Sequence, residues 1–79
     1  MNIKLSLFAD LRDYLPPGSD RYSCQLETDD GARVEDVLNL LNISNSMPKI
    51  ILINGINGNQ GETLKDGDVI SVFPPIAGG

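Results

Sequence analysis

Val34-Glu35-Asp36-Val37-Leu38-Asn39-Leu40-Leu41 is the stretch on which the fold turns. Its apolar residues Val34, Val37, Leu38 and Leu41 recur at i, i+3, i+4 and i+7, the spacing that gathers them on one face of an α-helix. Glu35 and Asp36 fall in the first turn, where the positive end of the helix dipole favours carboxylates. Asp29-Asp30-Gly31 supplies turn chemistry ahead of the helix, and Asn42 supplies a stop behind it. No other stretch of the 79 residues shows this period so clearly.

On the N-terminal side the period is two. Ile3, Leu5 and Leu7 alternate with Lys4, Ser6 and Phe8, which predicts a half-buried strand over residues 2–8 with Phe8 on its wetter face. Tyr22, Cys24, Leu26 and Thr28 alternate with Ser23, Gln25 and Glu27, and the two runs pair as a first hairpin with Cys24 facing inward. Between them, residues 9–15 make one or two helical turns that Pro16-Pro17-Gly18 stops. On the C-terminal side, Ile50-Ile51-Leu52-Ile53 is a continuous apolar run of strand length, expected to be buried on both faces or nearly so. Asn54-Gly55 marks a two-residue hairpin reversal. Residues 55–61 form a loop or a very short return strand, residues 64–68 another turn, and Val69-Ile70-Ser71-Val72-Phe73 a last strand that Pro74-Pro75 ends, because proline cannot donate to a ladder.

The element order is thus strand, strand, helix, strand, weak hairpin, strand. One helix covering a mixed sheet of four to five strands is an α+β arrangement. Residues 1–73 make one domain and residues 74–79 a flexible C-terminal Gly-Gly tail.

Composition narrows the function. A chain this short buries roughly 60% of its unfolded surface, enough for one modest core and not for a deep, walled active site. Histidine is absent and cysteine occurs once, which removes the usual general base near neutral pH and the nitrogen and sulfur ligands of a structural zinc. Eleven acidic against six basic side chains give a net charge of −5, which argues against a nucleic-acid surface and points to basic partners. The lone Cys24 forms no internal disulfide, and neither a leader pattern nor an apolar run of spanning length is present, so a cytoplasmic, non-membrane protein is expected.

The chemistry lies in Phe73-Pro74-Pro75-Ile76-Ala77-Gly78-Gly79. A terminal Gly-Gly arises by chance in roughly one chain in 200. The two prolines stiffen the exit from the last strand, and Ile76, Ala77, Gly78 and Gly79 taper to no side chain at all. At about 3.3 Å per residue these six residues reach roughly 20 Å, a probe suited to a narrow channel in another protein. It presents the α-carboxylate of Gly79, an anion and a poor electrophile until activated. Adenylation by ATP on a partner enzyme is the sensible activation, which makes the chain substrate and carrier rather than catalyst.

That tail, the turn Leu64-Lys65-Asp66-Gly67-Asp68-Val69 and Phe8-Ala9-Asp10-Leu11-Arg12 after the first strand together resemble the MoaD/ThiS sulfur-carrier family, over essentially the whole chain. The resemblance implies a ubiquitin-like β-grasp fold. The Phe-Pro-Pro form of the tail leans towards the MoaD branch, the small subunits of molybdopterin synthase. It further implies that Gly79 is adenylated by a MoeB-like enzyme that consumes ATP, converted to a thiocarboxylate by a sulfur donor protein, and inserted into a MoaE-like large subunit for molybdopterin synthesis. The chain itself then binds no cofactor or metal. Phe8 and Phe73 are implied to form an apolar surface shared by these partners, with Ile56 a third candidate. The same fold and tail also suit a ubiquitin-like modifier joined to lysines through Gly79, or a carrier for thiamin or another thiolation pathway. Two other patterns read as turns: Gly55, Gly58 and Gly61 lack the helix and Lys-Ser or Lys-Thr of a phosphate cradle, and Asp66 and Asp68 flank Gly67.

Overall fold

Alternation along the first strand holds for most of its length: Ile3, Leu5 and Leu7 are buried and Asn2 and Lys4 exposed, while Ser6, expected on the wetter face, is buried as well. The structure, a computed structural model, describes residues 1–75. Its elements are β1 (Asn2–Leu7), a 3-10 helix (Ala9–Tyr14), β2 (Ser23–Glu27), α1 (Val34–Leu40), β3 (Ile50–Ile53), β4 (Ile56–Asn57) and β5 (Val69–Phe73). They build a five-stranded mixed sheet in the order β2-β1-β5-β3-β4. β1 and β5, from opposite ends of the sequence, lie side by side in parallel with Leu5 opposite Ile70 and Leu7 opposite Val72. The remaining pairings are antiparallel.

Helix α1 closes one face of this sheet. Val34, Val37 and Leu38 are fully buried and join Leu5, Leu7, Cys24, Ile51, Ile70 and Val72 in one core. At its start, Val34 and Glu35 donate their backbone N–H groups to the carbonyls of Glu62 and Gln60 at 3.1 and 2.9 Å. The Asp36 carboxylate reaches back to the N–H of Arg33 at 2.9 Å. Two of the orphan amides of a helix start are thereby satisfied by the 60–62 loop rather than by a capping side chain. At its end Asn42 adopts φ 63°. The N–H of Asn42 then donates to the carbonyl of Asn39, and that of Ile43 to Leu38, both at 3.0 Å. This is a Schellman stop, with Ile43 folded under the helix and fully buried as its apolar contact.

Two turns follow the sequence reading. Asn54 and Gly55 have φ 53° and 82°, the paired positive values of a type I′ hairpin, and β4 is the short return strand. In the 64–68 turn both carboxylates are consumed. Asp66 Oδ1 accepts from the N–H of Asn2 at 2.7 Å, Asp68 Oδ2 from Lys65 at 2.8 Å, and Asp68 Oδ1 from the Asn54 amide at 2.9 Å. The turn therefore ties the start of β1 to the β3–β4 hairpin. The glycine-rich segment is likewise spent on local bonds, since Gly58 N–H donates to Ile51 and Gly61 N–H to the Asn59 side chain.

One expectation is corrected. The run Ile50-Ile51-Leu52-Ile53 is not buried on both faces: Ile50 is exposed, Ile51 buried, and Leu52 and Ile53 half-buried. Only one face of the sheet lies under α1, so the residues of β3 that alternate away from the helix meet solvent. Among the described residues, no helix is long and apolar enough to cross a membrane.

Candidate functional site

The face of the sheet turned away from α1 carries the aromatic residues. The parallel register pairs Leu7 with Val72 on the buried side, so the next residue on each strand, Phe8 and Phe73, emerges side by side on the other. Their rings stack 4.4 Å apart at 5°. Tyr22, at the entrance to β2, stacks on Phe8 at 5.6 Å and 24°, with the Arg12 guanidinium 5.4 Å from its ring centroid. Ile50 is the cross-strand partner of Phe73. Tyr22, Phe8, Phe73 and Ile50 thus form a row that crosses β2, β1, β5 and β3 in order, about 15 Å long at the usual strand spacing.

Local backbone holds this row in place. Phe8 keeps an extended conformation, its N–H bonded to the carbonyl of Val72 at 3.2 Å. Ala9 then turns the chain off the sheet with φ 54°, a left-handed conformation that costs an L-residue about 1–2 kcal/mol. The 3-10 helix that follows buries Leu11 and presents Arg12 to Tyr22. Arg12 and Tyr22 form a cation–π pair of a kind worth about 0.5–1 kcal/mol at exposed sites.

Beyond Phe73, Pro74 is half-buried and Pro75 exposed. A shallow groove of about 460 Å³ flanks them, walled by Leu11, Tyr14, Met47 and Pro48. The chain thus leaves the sheet beside the aromatic row. Ile76, Ala77, Gly78 and Gly79, the remainder of the expected tail-insertion segment and its reactive end, lie outside the described residues.

Of the three side chains expected to share a surface, the structure joins Phe8 with Phe73 and sets Ile56 apart. Ile56 is 72% exposed, but it pairs in register with Ile53, whose side faces α1, so it stands at the β4 edge on the other face. Ile50 and Tyr22, 38% and 42% exposed, take the places beside the phenylalanines. Sequence alternation had set Tyr22 in line with the inward Cys24. Tyr22 lies just before β2 begins; its carbonyl still accepts from the Leu7 N–H, yet its ring lies against Phe8.

Cys24 is buried and free. Burial pushes its thiol up from the ordinary value, against a smaller opposing effect of the Ser19 hydrogen bond, so it is packing and not a nucleophile. Desolvation lowers Lys49. Its ammonium donates to the carbonyls of Asn45 and Met47 and to Gln60 Oε1, at 3.3, 2.6 and 3.1 Å, and is spent on loop structure. Among the described residues, no three His, Cys, Asp or Glu side chains converge as a metal site.

Comparison with known proteins accords with this geometry. Residues 5–79 match the profile of the ThiS family. The chain belongs to the ThiS family. It is therefore a ubiquitin-like protein of the ThiS/MoaD sulfur-carrier group, whose small members are generally not enzymes. The solution structure of the HVO 2177 protein of Haloferax volcanii is 32% identical, with a TM-score of 0.78 over 100% of this chain and 87% of that one. A Pyrococcus furiosus protein described as a putative molybdopterin converting factor subunit 1 is 29% identical, with a TM-score of 0.72 over 95% and 98%. SAMP1 of Haloferax volcanii is 27% identical, with a TM-score of 0.73 over the whole of both chains. These neighbours identify the five-stranded sheet and its helix as the β-grasp fold. No curated protein sequence matches the chain.

Proposed function

We propose that this ThiS-family protein is a MoaD-type sulfur carrier, the small subunit of a molybdopterin synthase. The observation that carries the proposal is the Phe8–Phe73 stack at the point where β5 hands over to Pro74 and Pro75. An open aromatic row next to the start of an unbranched, glycine-ended tail gives a partner both a docking surface and a thread to follow. The likeness to the Pyrococcus furiosus subunit supports the molybdopterin branch.

The chemistry then proceeds on partners. The Gly79 carboxylate attacks the α-phosphate of ATP on a MoeB-like adenylating enzyme, and pyrophosphate leaves. Sulfide, delivered by a sulfur donor protein, displaces AMP from the acyl adenylate and leaves a thiocarboxylate. In a MoaE-like large subunit that sulfur bonds to the pterin precursor, and water hydrolyses its bond to the acyl carbon, so that Gly79 returns to a carboxylate. What this chain contributes is recognition and reach. Phe8, Phe73, Tyr22 and Ile50 are covered by a partner, and residues 74–79 carry the carboxylate into its site. The chain binds no cofactor of its own.

Intact mass spectrometry after incubation with ATP, the adenylating enzyme and a sulfur donor tests this. One oxygen is exchanged for one sulfur, localised to the peptide that ends in Gly79, because oxidation of methionine or Cys24 gives nearly the same nominal shift. An unmodified C-terminal peptide beside a converted control carrier contradicts it. Deleting Gly79 abolishes conversion and leaves the melting temperature unchanged, since glycine brings no side chain to the core.

A second reading, a protein modifier joined to lysines through Gly79, draws support from the likeness to SAMP1. Immunoblots of cells carrying a tagged copy distinguish it. A ladder that disappears on deletion of Gly78 and Gly79 marks conjugation, and free protein alone opposes it.

A further inference from the structure

We infer that the groove between the end of β2 and α1 docks an extended segment of a partner protein that carries lysine or arginine side chains and an aliphatic anchor. The groove, of about 620 Å³, has Ala32 in its lining and Leu40 exposed at its rim. Leu40 is 63% exposed and is the one residue of α1 where a large aliphatic side chain is turned to water. Glu27, Asp29, Asp30 and Asp36 stand around it. No lysine or arginine is among the described residues that line it, and the Met1 ammonium lies 3.8 Å from Asp30. Acidic residues beside an exposed leucine match a segment of opposite charge with an aliphatic residue to bury.

A further feature matches an extended segment. In the β1–β2 ladder, Tyr22 and Thr28 bond to Leu7 and Met1 on the inner side. Alternation therefore turns the N–H and C=O groups of Gln25 and Glu27 to the open edge of the sheet. Nothing among the described residues bonds to them. An added strand pairs with such an edge through its own backbone.

The groove lies at the start of β1, and the Phe8–Phe73 stack lies past its end, about 20 Å away at the rise of six strand residues. A partner in the groove leaves the aromatic row and residues 74–79 free for a second protein. Docking here is independent of what becomes of Gly79.

Nuclear magnetic resonance titration of the 15N-labelled full chain tests the inference, with the synthetic peptide acetyl-Lys-Val-Lys-Val-Lys-Val-amide and its glutamate counterpart as probes. The lysine peptide shifts the amides of Gln25, Glu27, Asp29 and Leu40, and the glutamate peptide does not. Leu40→Ser weakens the dissociation constant about fivefold, as does Glu27→Gln with Asp30→Asn. Phe73→Ala leaves it unchanged. Glu27, Asp30 and Leu40 are exposed, and retained amide dispersion verifies that all the variants fold. Shifts scattered over the surface or centred on Phe8 and Phe73, equal binding of the glutamate peptide, or parental affinity in both groove variants would overturn it.

Discussion

On β5, Ile70 and Val72 face α1 and are fully buried, while Ser71 and Phe73 face away and are half-buried. The same strand therefore serves two faces whose chemistry differs. The inner one is aliphatic throughout apart from Cys24 and closes under Val34, Val37 and Leu38. The outer one has serines at its centre, Ser6 opposite Ser71 and Ser23, and gathers its aromatic side chains at one end, in the row from Tyr22 to Ile50. A core has no need of that row, which stays partly open to solvent among the described residues. Stability belongs to the covered face, and the recognition proposed above to the end of the open face beside Pro74 and Pro75.

The contrast is sharpest at Ile70. Ile70→Ala removes a fully buried side chain and costs about 2–5 kcal/mol, most of the stability of a domain this small. Urea unfolding should show the midpoint fall accordingly, and a loss under 1 kcal/mol would mean that the inner face is not the core. Phe73→Ala, three residues on, removes a stacked but half-open ring. Chemical unfolding should show a loss of only about 1–2 kcal/mol, whereas affinity for the adenylating enzyme, measured by calorimetry, drops at least tenfold. Asp68→Ala affects neither face. It frees the Lys65 N–H and the Asn54 amide and should lower stability by about 1–2 kcal/mol without changing partner affinity.

Cys24 marks the border of the inner face. Burial raises its thiol, so the folded state holds the proton more tightly than the unfolded chain does. The stability from this group is complete below the ordinary thiol range and declines as pH rises through it. Alkylation by iodoacetamide near pH 8 should therefore be slow in the folded protein and fast in urea. Equal rates would place the thiol at the surface. The smallest effect is expected at Ala9→Gly, where relief of the left-handed strain exceeds the added freedom of the unfolded chain by less than about 1 kcal/mol. Thermal melts check its sign.

Much of this architecture was legible beforehand for local reasons. The i, i+3, i+4, i+7 spacing in α1, the alternation in β1, the Asn54-Gly55 reversal and the Pro74-Pro75 stop are each determined by a few adjacent residues. Ile43 and Leu64 were not recognisable as core, because each lies in a segment without period and is buried by a helix stop or a turn. The site was half legible. Alternation put Phe8 on the open face, and the family likeness brought Phe73 beside it, but their neighbours depend on pairing between distant strands. Ile50 joins the row only because β3 lies antiparallel to β5 with Ile50 opposite Phe73. Ile56 leaves it because the tight hairpin pairs it with Ile53.

The division of labour between the two faces is tested most directly by the rate at which Gly79 gains sulfur in Phe73→Ala, followed by mass spectrometry at a temperature well below the melting transition of the variant. A folded Phe73→Ala protein that converts at least tenfold more slowly than the parent, with the rate recovered at saturating adenylating enzyme, is the expected result. Conversion at the parental rate at limiting enzyme would contradict it and remove the aromatic row from the recognition of partners.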